Sequence, residues 1–548
     1  MPSTSGYVSL PDQEGTVVPA ANAGSVTLRD NGSYSYDYKQ GLFTNKYTLL
    51  VSLLASIGGL SFGYDQGVIA NVLVMPTFFR MKAWETGIMT AVLELGALVG
   101  CILAGLFADR MGSRSRSIAA ACVAFLVGSV IQAAARSVTH LVIGRGIGGI
   151  GVGALSMLSP LYLAEISPPS LRGSLMALEQ LAIVSGVVLG FWLGFFTRTI
   201  PSSLSWRIPL AVQIIPGVIL GLGCIILPPS PRLLVLEGSL DEAQTILARL
   251  RGRSTDDPLV KLELLEMQVE ATLIRRTTTA ESKPNTLIQE LKTWAGLFGR
   301  KYRRRTWVGV LMMAFQQWSG INALLYYGPT LVRSIGLDGA RVTLLVSGGI
   351  GIAQLVAVIP AIMFIDKLGR RPLLRSGAIV MGFSHFLVSI LISQYGADWH
   401  DHSLAAGLSV GLIYVFTLAY GASFGPVAWV LPSEVFPLSM RSRGAALATS
   451  SNWANNFFVG LITPTTLERS PAGTFLLFAV FCFVAYLWAT YAVPETAGIG
   501  LEEMASVFER GEGELEREEA ETRRQIEEDV GLWRLVNEES RRGRSAET

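Results

Sequence analysis

The chain has 548 residues, of which 50% are hydrophobic and only 16% are charged, whereas a soluble domain carries roughly 25% charged residues. Its formal net charge of +2 by itself says nothing about nucleic acid, and we expect no nucleic-acid partner. Apolar stretches of about 20 residues, long enough to cross a bilayer as helices, alternate with short charged links. Composition therefore argues against a soluble protein and predicts a polytopic membrane protein whose main surroundings are a lipid bilayer.

Twelve helical spans are predicted by this alternation, six on each side of a long polar segment. The expected ranges are about 47–73, 86–108, 117–136, 138–163, 174–197, 204–227, 306–333, 340–365, 372–394, 404–432, 442–466 and 473–493. We therefore expect an all-α membrane protein built from a disordered tail over 1–45, a six-helix half over 46–227, a linker with short amphipathic helices over 228–305, a six-helix half over 306–493 and a tail over 494–548.

Lysine and arginine concentrate in alternate links between the predicted spans. Clusters follow the second, eighth and tenth spans and end the central linker, and the strongest is Arg300-Lys301-Tyr302-Arg303-Arg304-Arg305. Because such residues are retained on the inner side of a membrane, both tails and the linker are expected to be cytoplasmic.

An internal repeat predicts two pseudo-symmetric halves. Glu165 and Arg172 are seven residues apart after the fourth span, and Glu434 and Arg441 are seven apart after the tenth. A link that begins at Asp109 is echoed by one that begins at Asp366. Such echoes are typical of transporters made of structural repeats.

Charges at these helix ends have two interpretations. Salt bridges between the halves would hold the cytoplasmic side closed, or the charges would only set the topology of the chain. The candidates for this cytoplasmic gate are Asp109, Arg110, Glu165, Arg172, Asp366, Arg370, Arg371, Glu434, Arg441 and Glu495.

Asp65 is a carboxylate in the middle of the first span, among glycines. A charge at that depth costs a few kcal/mol or more unless it faces a partner or a watery cavity. Arg145, in the glycine-rich fourth span, is the candidate partner. Such a pair can exchange a proton when it opens, so it predicts proton coupling; the alternative is a purely structural buried pair.

Side-chain amides recur in the predicted spans, together with almost no central charge. Amides both donate and accept hydrogen bonds, which suits a neutral ligand rich in hydroxyl groups. They can also serve only to join helices. The amides are Gln180, Gln316, Gln317, Asn322, Gln354, Asn452 and Asn456, with Trp429 beside a helix-bending proline.

Several motifs, in order, resemble the sugar porter family of the major facilitator superfamily over about residues 45–510, and the Trp429–Asn456 region resembles its fungal branch. They are Gly63-Tyr64-Asp65-Gln66-Gly67-Val68-Ile69, Asp109-Arg110-Met111-Gly112, Gly144-Arg145-Gly146-Ile147-Gly148, Tyr162-Leu163-Ala164-Glu165-Ile166, Ser230-Pro231-Arg232, Gln316-Gln317-Trp318-Ser319-Gly320-Ile321-Asn322, Asp366-Lys367-Leu368-Gly369-Arg370-Arg371 and Pro494-Glu495-Thr496-Ala497-Gly498. One departure is Pro229, where the family usually has glutamate.

The resemblance implies the major facilitator fold and alternating access around a central monosaccharide site. The sugar contacts that it implies are Gln180, Gln316, Gln317, Asn322, Gln354, Trp429 and Asn452, with Tyr326 and Tyr327 closing the outer side. It also implies that Asp65 titrates against Arg145 in proton-coupled relatives, although some facilitators keep the acid.

The leading hypothesis is a plasma-membrane importer of a hexose or pentose, driven by protons through Asp65. The alternatives are a facilitative uniporter, a polyol or quinate-type porter, and a non-transporting sugar sensor. No nucleotide loop, metal cluster or nucleophile–base pair is present in the sequence, so we expect no enzyme activity, no cofactor and no metal. The oligomeric state is not predicted.

Overall fold

The structure is a computed structural model that describes residues 25–28, 34–38, 44–73, 75, 77–79, 83–108, 110–278, 287–333, 340–396, 398–437, 440–497, 499, 508 and 514–547. Within these ranges the chain forms two halves of six helical spans each, joined by a linker of short helices. The predicted all-α membrane fold is confirmed. Both tails and the linker lie at one end of the bundle, which we call the tail side.

The six spans of the N-terminal half begin at Lys46 and end at Gly223. The first and the sixth are each made of two consecutive helices. The helices are α1 (Lys46–Ala55), α2 (Ile57–Val72), α3 (Ala83–Phe107), α4 (Arg114–Ala133), α5 (Val138–Ile166), α6 (Arg172–Thr197), α7 (Leu204–Val212) and α8 (Ile214–Gly223), with a 3₁₀ turn at Pro169–Leu171.

The linker and the C-terminal half follow in the same way. The linker helices are α9 (Pro231–Glu237), α10 (Leu240–Arg251), α11 (Pro258–Thr278) and α12 (Leu287–Gly296). The second set of spans consists of α13 (Arg303–Trp318), α14 (Ile321–Arg333), α15 (Ala340–Leu368), α16 (Arg370–Tyr395), α17 (Ser403–Ala422), α18 (Phe424–Val435), α19 (Arg441–Arg469) and α20 (Pro471–Tyr491), with a 3₁₀ turn at Trp399–Asp401.

Ten of the described spans are long and apolar enough to cross a membrane by length and composition alone. The two that are not in this set are α13 with α14, and α19. Both carry the side-chain amides noted above, and they lie against each other in the bundle. Their polarity is therefore buried inside the C-terminal half, where it does not meet lipid.

Glycines allow the closest helix pairs to form. On α2, a Cβ atom at Gly63 would collide with the carbonyl of Ile183 on α6; on α5, one at Gly153 would collide with the carbonyl of Ala97 on α3. Small residues at such crossings let backbones approach closely in a membrane. The halves then meet along α3 against α19 and α6 against α15, with α2 against α14. This arrangement places the central cavity between them.

A folded layer covers the tail side. Strands β1 (Ser25–Leu28) and β2 (Tyr34–Asp37) form an antiparallel hairpin, which packs on α11 together with the two C-terminal helices Glu514–Asp529 and Leu532–Glu547. The expected disorder over 1–45 is therefore wrong for residues 25–28 and 34–38. Burial of Val26 and Tyr38 against α11 supplies the apolar contacts that order the hairpin.

The layer is attached to the N-terminal half by hydrogen bonds. Arg251, at the end of α10, pairs with Glu263 of α11 at 2.6 Å and donates to the carbonyl of Ile166, the last residue of α5, at 2.7 Å. Asn45 donates to the carbonyl of Leu250 at 2.5 Å. The linker helices thus continue the N-terminal half on the tail side.

Candidate functional site

A small central cavity lies between the halves, with a volume of about 30 Å³. That is about the space that one water occupies in the liquid, so the site is contracted in this conformation. Six of the seven predicted sugar contacts line it, and the complete lining is Phe62, Gln66, Gln180, Ile183, Val184, Val187, Gln316, Gln317, Ile321, Asn322, Leu325, Gln354, Tyr420 and Trp429.

The amides on α13, α14 and α19 bond to one another in a continuous chain. Gln317 Nε2 donates to Asn452 Oδ1 at 2.9 Å, and Asn452 Nδ2 donates to Gln316 Oε1 at 2.6 Å. Asn322 Nδ2 donates to Gln317 Oε1 at 2.6 Å and to Asn456 Oδ1 at 3.0 Å. The predicted contact Asn452 thus lies behind the lining, where it fixes the two glutamines that face the cavity.

Two features of the lining suit a hydroxylated ligand. The amide oxygen of Gln354 is buried and has no hydrogen-bond partner among the described residues. A buried acceptor without a partner costs about 1–3 kcal/mol, which a ligand hydroxyl would recover. Trp429 and Phe62, from opposite halves, meet edge to face with their ring centres 6.0 Å apart. The cavity therefore combines unused polar groups with an aromatic wall.

A break in the seventh span positions these amides. Gly320 has a positive φ of 92°, a conformation that glycine adopts without steric cost, and it separates α13 from α14. Tyr327 departs from helical geometry inside α14, with φ −116° and ψ 17°. Gln316 and Gln317 therefore come from the end of one helix and Asn322 from the start of the next, and all three converge.

Asp65 and Arg145 meet beside this network, as the sequence predicts. Arg145 Nη1 lies 3.5 Å from Asp65 Oδ1, and both side chains are 1% exposed. Arg145 Nε also donates to the carbonyl of Met89 at 2.9 Å. The second oxygen of Asp65 has no hydrogen-bond partner in the described part of the chain. The pair is thus long, single and buried, so protonation of Asp65 would remove little bonding.

The two predicted gate tyrosines differ in position. Tyr326 is buried, and its hydroxyl accepts from Gln66 Nε2 at 2.9 Å and from Asn456 Nδ2 at 3.0 Å. Tyr327 is half-buried and donates to the carbonyl of Gly460 at 3.0 Å. Since Gln66 belongs to the N-terminal half and Tyr326 to the C-terminal half, their hydrogen bond closes the bundle between the cavity and the side opposite the tails.

Ion pairs on the tail side follow the internal repeat. Arg114 of α4 bonds Glu165 at 2.8 Å, and Arg370 of α16 bonds Glu434 at 2.8 Å. Each pair joins the start of one span to the end of the next within one half. The expectation that Glu165 and Glu434 form salt bridges between the halves is therefore wrong; the repeat uses them to brace each half internally.

Other contacts do join the halves on this side. Asp366 of α15 accepts from the backbone nitrogens of Gly173 and Ser174 at the start of α6, at 3.1 and 2.8 Å. A carboxylate at a helix N-terminus is favourable because of the unpaired N–H groups there. Glu290 of α12 bonds Arg110 at 3.3 Å and Arg443 at 2.9 Å. Together these contacts close the tail side.

The remaining gate candidates make hydrogen bonds to backbone groups. Arg172 donates to the carbonyl of Ile499 at 3.3 Å, and Arg441 to that of Phe436 at 3.3 Å. Glu495 accepts from the backbone nitrogens of Arg370 and Arg371 at 2.9 and 3.1 Å, and the side chain of Arg371 donates to the carbonyl of Thr490. Asp109 lies outside the described residues.

Four residues near the site were not among the sugar contacts, gate residues or proton-coupling residues predicted from the sequence. Gln66, next to Asp65, and Tyr420 line the cavity, while Asn456 joins Asn322 to Tyr326. Glu94, on α3, is buried. A signal was present for Asn456, which lies one helical turn after Asn452 and so shares its face.

Comparisons with known proteins agree with this geometry. Residues 51–508 match the family described as "Sugar (and other) transporter". The D-xylose transporter of Levilactobacillus brevis is 33% identical over 474 residues, which cover 85% of this chain and 97% of that protein. The high glucose sensor RGT2 of Saccharomyces cerevisiae is 31% identical over 487 residues, covering 86% of this chain but 62% of the sensor.

A solved structure resembles the whole bundle. The proton:xylose symporter XylE bound to 6-bromo-6-deoxy-D-glucose superposes with a TM-score of 0.72 at 29% identity, over 84% of this chain and 99% of that one. These proteins are transporters or a sensor of sugars, and none is described as an enzyme. The chain therefore belongs to the sugar porter family of the major facilitator superfamily and is a membrane-embedded transporter of the sugar-porter type.

Proposed function

We propose that the protein imports a monosaccharide, a hexose or a pentose, across the plasma membrane together with a proton. The observation that carries the proposal is the Asp65–Arg145 pair, 3.5 Å long and buried next to an amide-lined cavity. A carboxylate held by one weak contact can lose or gain a proton as the cavity opens to either side. Proton binding and sugar binding would then favour the same closed conformation.

The sugar specificity follows from the lining. Gln180, Gln316, Gln317, Asn322 and Gln354 offer donors and acceptors in equal measure and no charge, while Trp429 offers a flat apolar face. Pyranose rings carry hydroxyl groups around their edge and C–H groups on their faces, so they match both features. A charged acid such as quinate would find no basic side chain among the lining residues.

The direction of transport depends on orientation. Lysine and arginine at the links of the tail side support a cytoplasmic location for the tails and the linker. The Tyr326–Gln66 contact would then close the external side, and the Asp366 and Glu290 contacts the internal side. With both sides closed around a contracted cavity, the structure corresponds to an occluded state from which either side can open.

Uptake in a host that lacks its own sugar transporters tests the proposal. Labelled glucose and xylose are supplied at acidic and neutral external pH, with and without a protonophore, to cells that express wild type or Asp65→Asn. We expect the wild type to concentrate sugar only with an intact proton gradient. Asp65→Asn should lose accumulation but keep exchange of labelled for unlabelled sugar.

Other outcomes of this experiment would support one of the alternative functions. Non-concentrative uptake that is equal in wild type and Asp65→Asn would indicate a facilitative uniporter in which Asp65 is structural. No uptake of either sugar by protein at the cell surface would leave a polyol porter or a sensor. The similarity to RGT2 makes the sensor a specific alternative, and a deletion of residues 509–548 separates the two: a carrier keeps uptake, whereas a sensor loses its response.

A further inference from the structure

The linker helix α12 has two different faces. One face is turned into the protein: Glu290 is buried, and Trp294, one turn later, packs on Gly105 of α3. The other face carries Leu291 and, just past the end of the helix, Phe298, which are 60% and 49% exposed. A helix with one apolar face that is left uncovered next to a membrane span is suited to lie in the plane of the membrane surface.

The turn from α12 into α13 is strongly basic. Six basic side chains follow Glu290 within 15 residues, and the next acid in the sequence is Asp338. Arg300 and Arg303 are exposed, and no ion pair in the described part of the chain includes either of them. The six are Lys292, Arg300, Lys301, Arg303, Arg304 and Arg305. Two of these guanidinium groups are therefore open to a partner outside the protein.

Aromatic rings lie beside these charges. Trp307 comes one helical turn after Arg303, so the two share a face of α13. The Trp307 side chain is 48% exposed, and its ring meets that of Phe298 edge to face at 6.2 Å. The ammonium group of Lys301 lies 5.5 Å from the ring centre of Tyr302. Tryptophan and tyrosine are enriched at the level of the lipid headgroups, so these bases and rings suit that depth.

Membrane topology alone does not require so many charges here. A few Lys or Arg residues near a span are enough to keep a link on the inner side. The stretch of equal length around the start of the first span, 34–48, holds Lys39 and Lys46 together with Asp37. The stretch 291–305 at the start of the seventh span holds six bases and no acid. Clusters of about four to eight bases next to a span attract anionic lipid headgroups.

We propose that the stretch 291–307, which we call the basic corner, binds an anionic phospholipid of the leaflet on the tail side. Arg300 and Arg303 hold the headgroup phosphate, and the exposed rings of Phe298 and Trp307 pack against the acyl chains. The site thus matches both parts of one lipid, whereas a soluble anion would use only its charges.

The position of this site gives the lipid an effect on the closure of the tail side. Glu290, on the inner face of α12, bonds Arg110 at 3.3 Å and Arg443 at 2.9 Å. Arg110 follows α3 of the N-terminal half, and Arg443 is on α19 of the C-terminal half. A lipid on the outer face holds α12 against the bundle and so keeps Glu290 between the two arginines.

Quenching of tryptophan fluorescence tests the site. The full-length protein, in a neutral detergent, is titrated with phosphatidylserine whose acyl chains carry bromine, a quencher, and separately with brominated phosphatidylcholine. Because the chain has 11 tryptophans, the difference between wild type and Trp307→Phe gives the quenching at the basic corner. We expect this quenching to reach half its maximum at an about tenfold lower concentration of phosphatidylserine, since each base near a membrane surface raises the affinity about fivefold.

Removal of the two exposed charges should abolish this preference. In the double variant Arg300→Gln with Arg303→Gln, the two lipids should quench Trp307 at equal concentrations. Equal quenching by the two lipids in wild type, or a preference that survives in the double variant, overturns the inference. Inorganic phosphate at millimolar concentration should not reverse the quenching; if it does, the site binds a soluble anion and the lipid proposal is wrong.

Two other exposed arginines provide the matched control. Arg116 on α4 and Arg375 on α16 also lie near the starts of spans on the tail side and are exposed, whereas α13 packs against α14, α18, α19 and α20. Arg116→Gln with Arg375→Gln removes the same charge and should keep the preference for phosphatidylserine. An equal loss of preference in this control would mean that the whole tail side attracts the lipid and that the basic corner is not a site.

Hydrogen exchange tests the link to Glu290. The protein is placed in nanodiscs of phosphatidylcholine with or without phosphatidylserine, and exchange of the α12 amides is compared with that of α10. Phosphatidylserine should slow α12 several-fold in wild type, but neither α10 nor α12 of the Arg300→Gln, Arg303→Gln variant. Lipid binding with unchanged exchange of α12 refutes the link. Neither measurement involves transport, so failure of the proposed function leaves both results interpretable.

Discussion

Asp366 accepts two hydrogen bonds from Ser174, one from its backbone nitrogen and one from its hydroxyl, each 2.8 Å long. Asp366 belongs to the C-terminal half and Ser174 to the N-terminal half, so these bonds cross the gap through which the cavity would open to the tail side. At the start of α6, the Asp366 carboxylate both bridges this gap and accepts hydrogen bonds from N–H groups that the helix itself leaves unpaired.

Asp366→Ala should therefore shift the protein toward a conformation open on the tail side. A cysteine in place of Ser433, which contacts Met176 across the halves at 3.4 Å and is buried, can report the opening. The four native cysteines are buried and give little background. We expect thiol labelling of Ser433→Cys to accelerate several-fold when Asp366→Ala is added.

The control for this experiment is Asp256→Ala, because the exposed carboxylate of Asp256 pairs with Lys261 at the protein surface. It should leave the labelling rate unchanged. Equal labelling with and without Asp366→Ala would mean that the Asp366 contacts are not needed to keep the tail side closed.

Asn322→Ala should weaken sugar binding. Its amide faces the cavity and bonds Gln317 and Asn456, and a ligand hydroxyl left without its partner costs about 1–3 kcal/mol. That corresponds to a rise of about 5- to 150-fold in the KM for uptake. Asn455→Ala is the matched control, because Asn455 bonds Ser451 and Trp318 outside the cavity. A similar KM in both variants would argue against Asn322 as a sugar contact.

Arg114→Ala should destabilise the folded protein strongly. The Arg114–Glu165 pair is 1% and 0% exposed, and removal of one partner of a buried pair costs about 3–5 kcal/mol. Thermal unfolding of the protein in detergent, followed by the loss of its monodisperse peak, measures the effect. The double variant Arg114→Met with Glu165→Met should recover part of the loss, since no charge then remains unpaired.

An exposed pair serves as the comparison. Arg534 and Glu538 lie 3.3 Å apart with their side chains 87% and 53% exposed, and such pairs contribute little. Arg534→Ala should leave the unfolding temperature unchanged. If Arg114→Ala unfolds at that same temperature, the buried pair does not brace the N-terminal half.

Tyr38 makes the tail-side layer sensitive to alkaline pH. Its hydroxyl donates to Glu263 at 2.6 Å, and burial, followed by the negative charge of Glu263, raises the pKa of Tyr38 well above its usual range. Because the phenol has an unfolded pKa of about 10, its contribution is complete below that pH and is lost as pH rises through the folded pKa. Limited proteolysis of the N-terminal segment should therefore increase above about pH 10.

Tyr38→Phe should remove this pH dependence and increase cleavage already at neutral pH, because a hydrogen bond to a charged group stabilises by about 1.5–3 kcal/mol. Tyr395→Phe, at the opposite end of the bundle, is the control. Cleavage that rises with pH to the same extent in Tyr38→Phe as in wild type would assign the effect to another group.

Most of the fold could be predicted because membrane spans depend on local composition. The predicted start of the seventh span, 306, lies three residues from the observed Arg303, and the first span was placed within one residue of Lys46. The hairpin at Ser25–Leu28 could not be predicted in this way. Tyr38 bonds Glu263, which lies 225 residues away in the sequence, and no local pattern encodes such a contact.

In the site, too, the sequence could predict which residue types are present, but it could not predict which partners they bond. Polarity in the spans identified the amides and Asp65, since polar groups inside a bilayer are expensive. The partners depend on packing: Glu165 bonds Arg114 within its own half, where a pair across the halves was expected. Tyr326 was assigned to the outer gate, but its hydroxyl also joins Asn456 to Gln66, one from each half, a role that only the three-dimensional structure reveals.

The tail-side layer makes the two similar halves mechanically unequal. Through Arg251 and Ile166 the layer is attached to the N-terminal half, so this half carries additional structure on the tail side. A rotation of the N-terminal half relative to the C-terminal half would therefore also displace the hairpin. The distance between a spectroscopic label on the hairpin and one at the start of α16 would report the rotation between the halves during transport, with no label near the cavity.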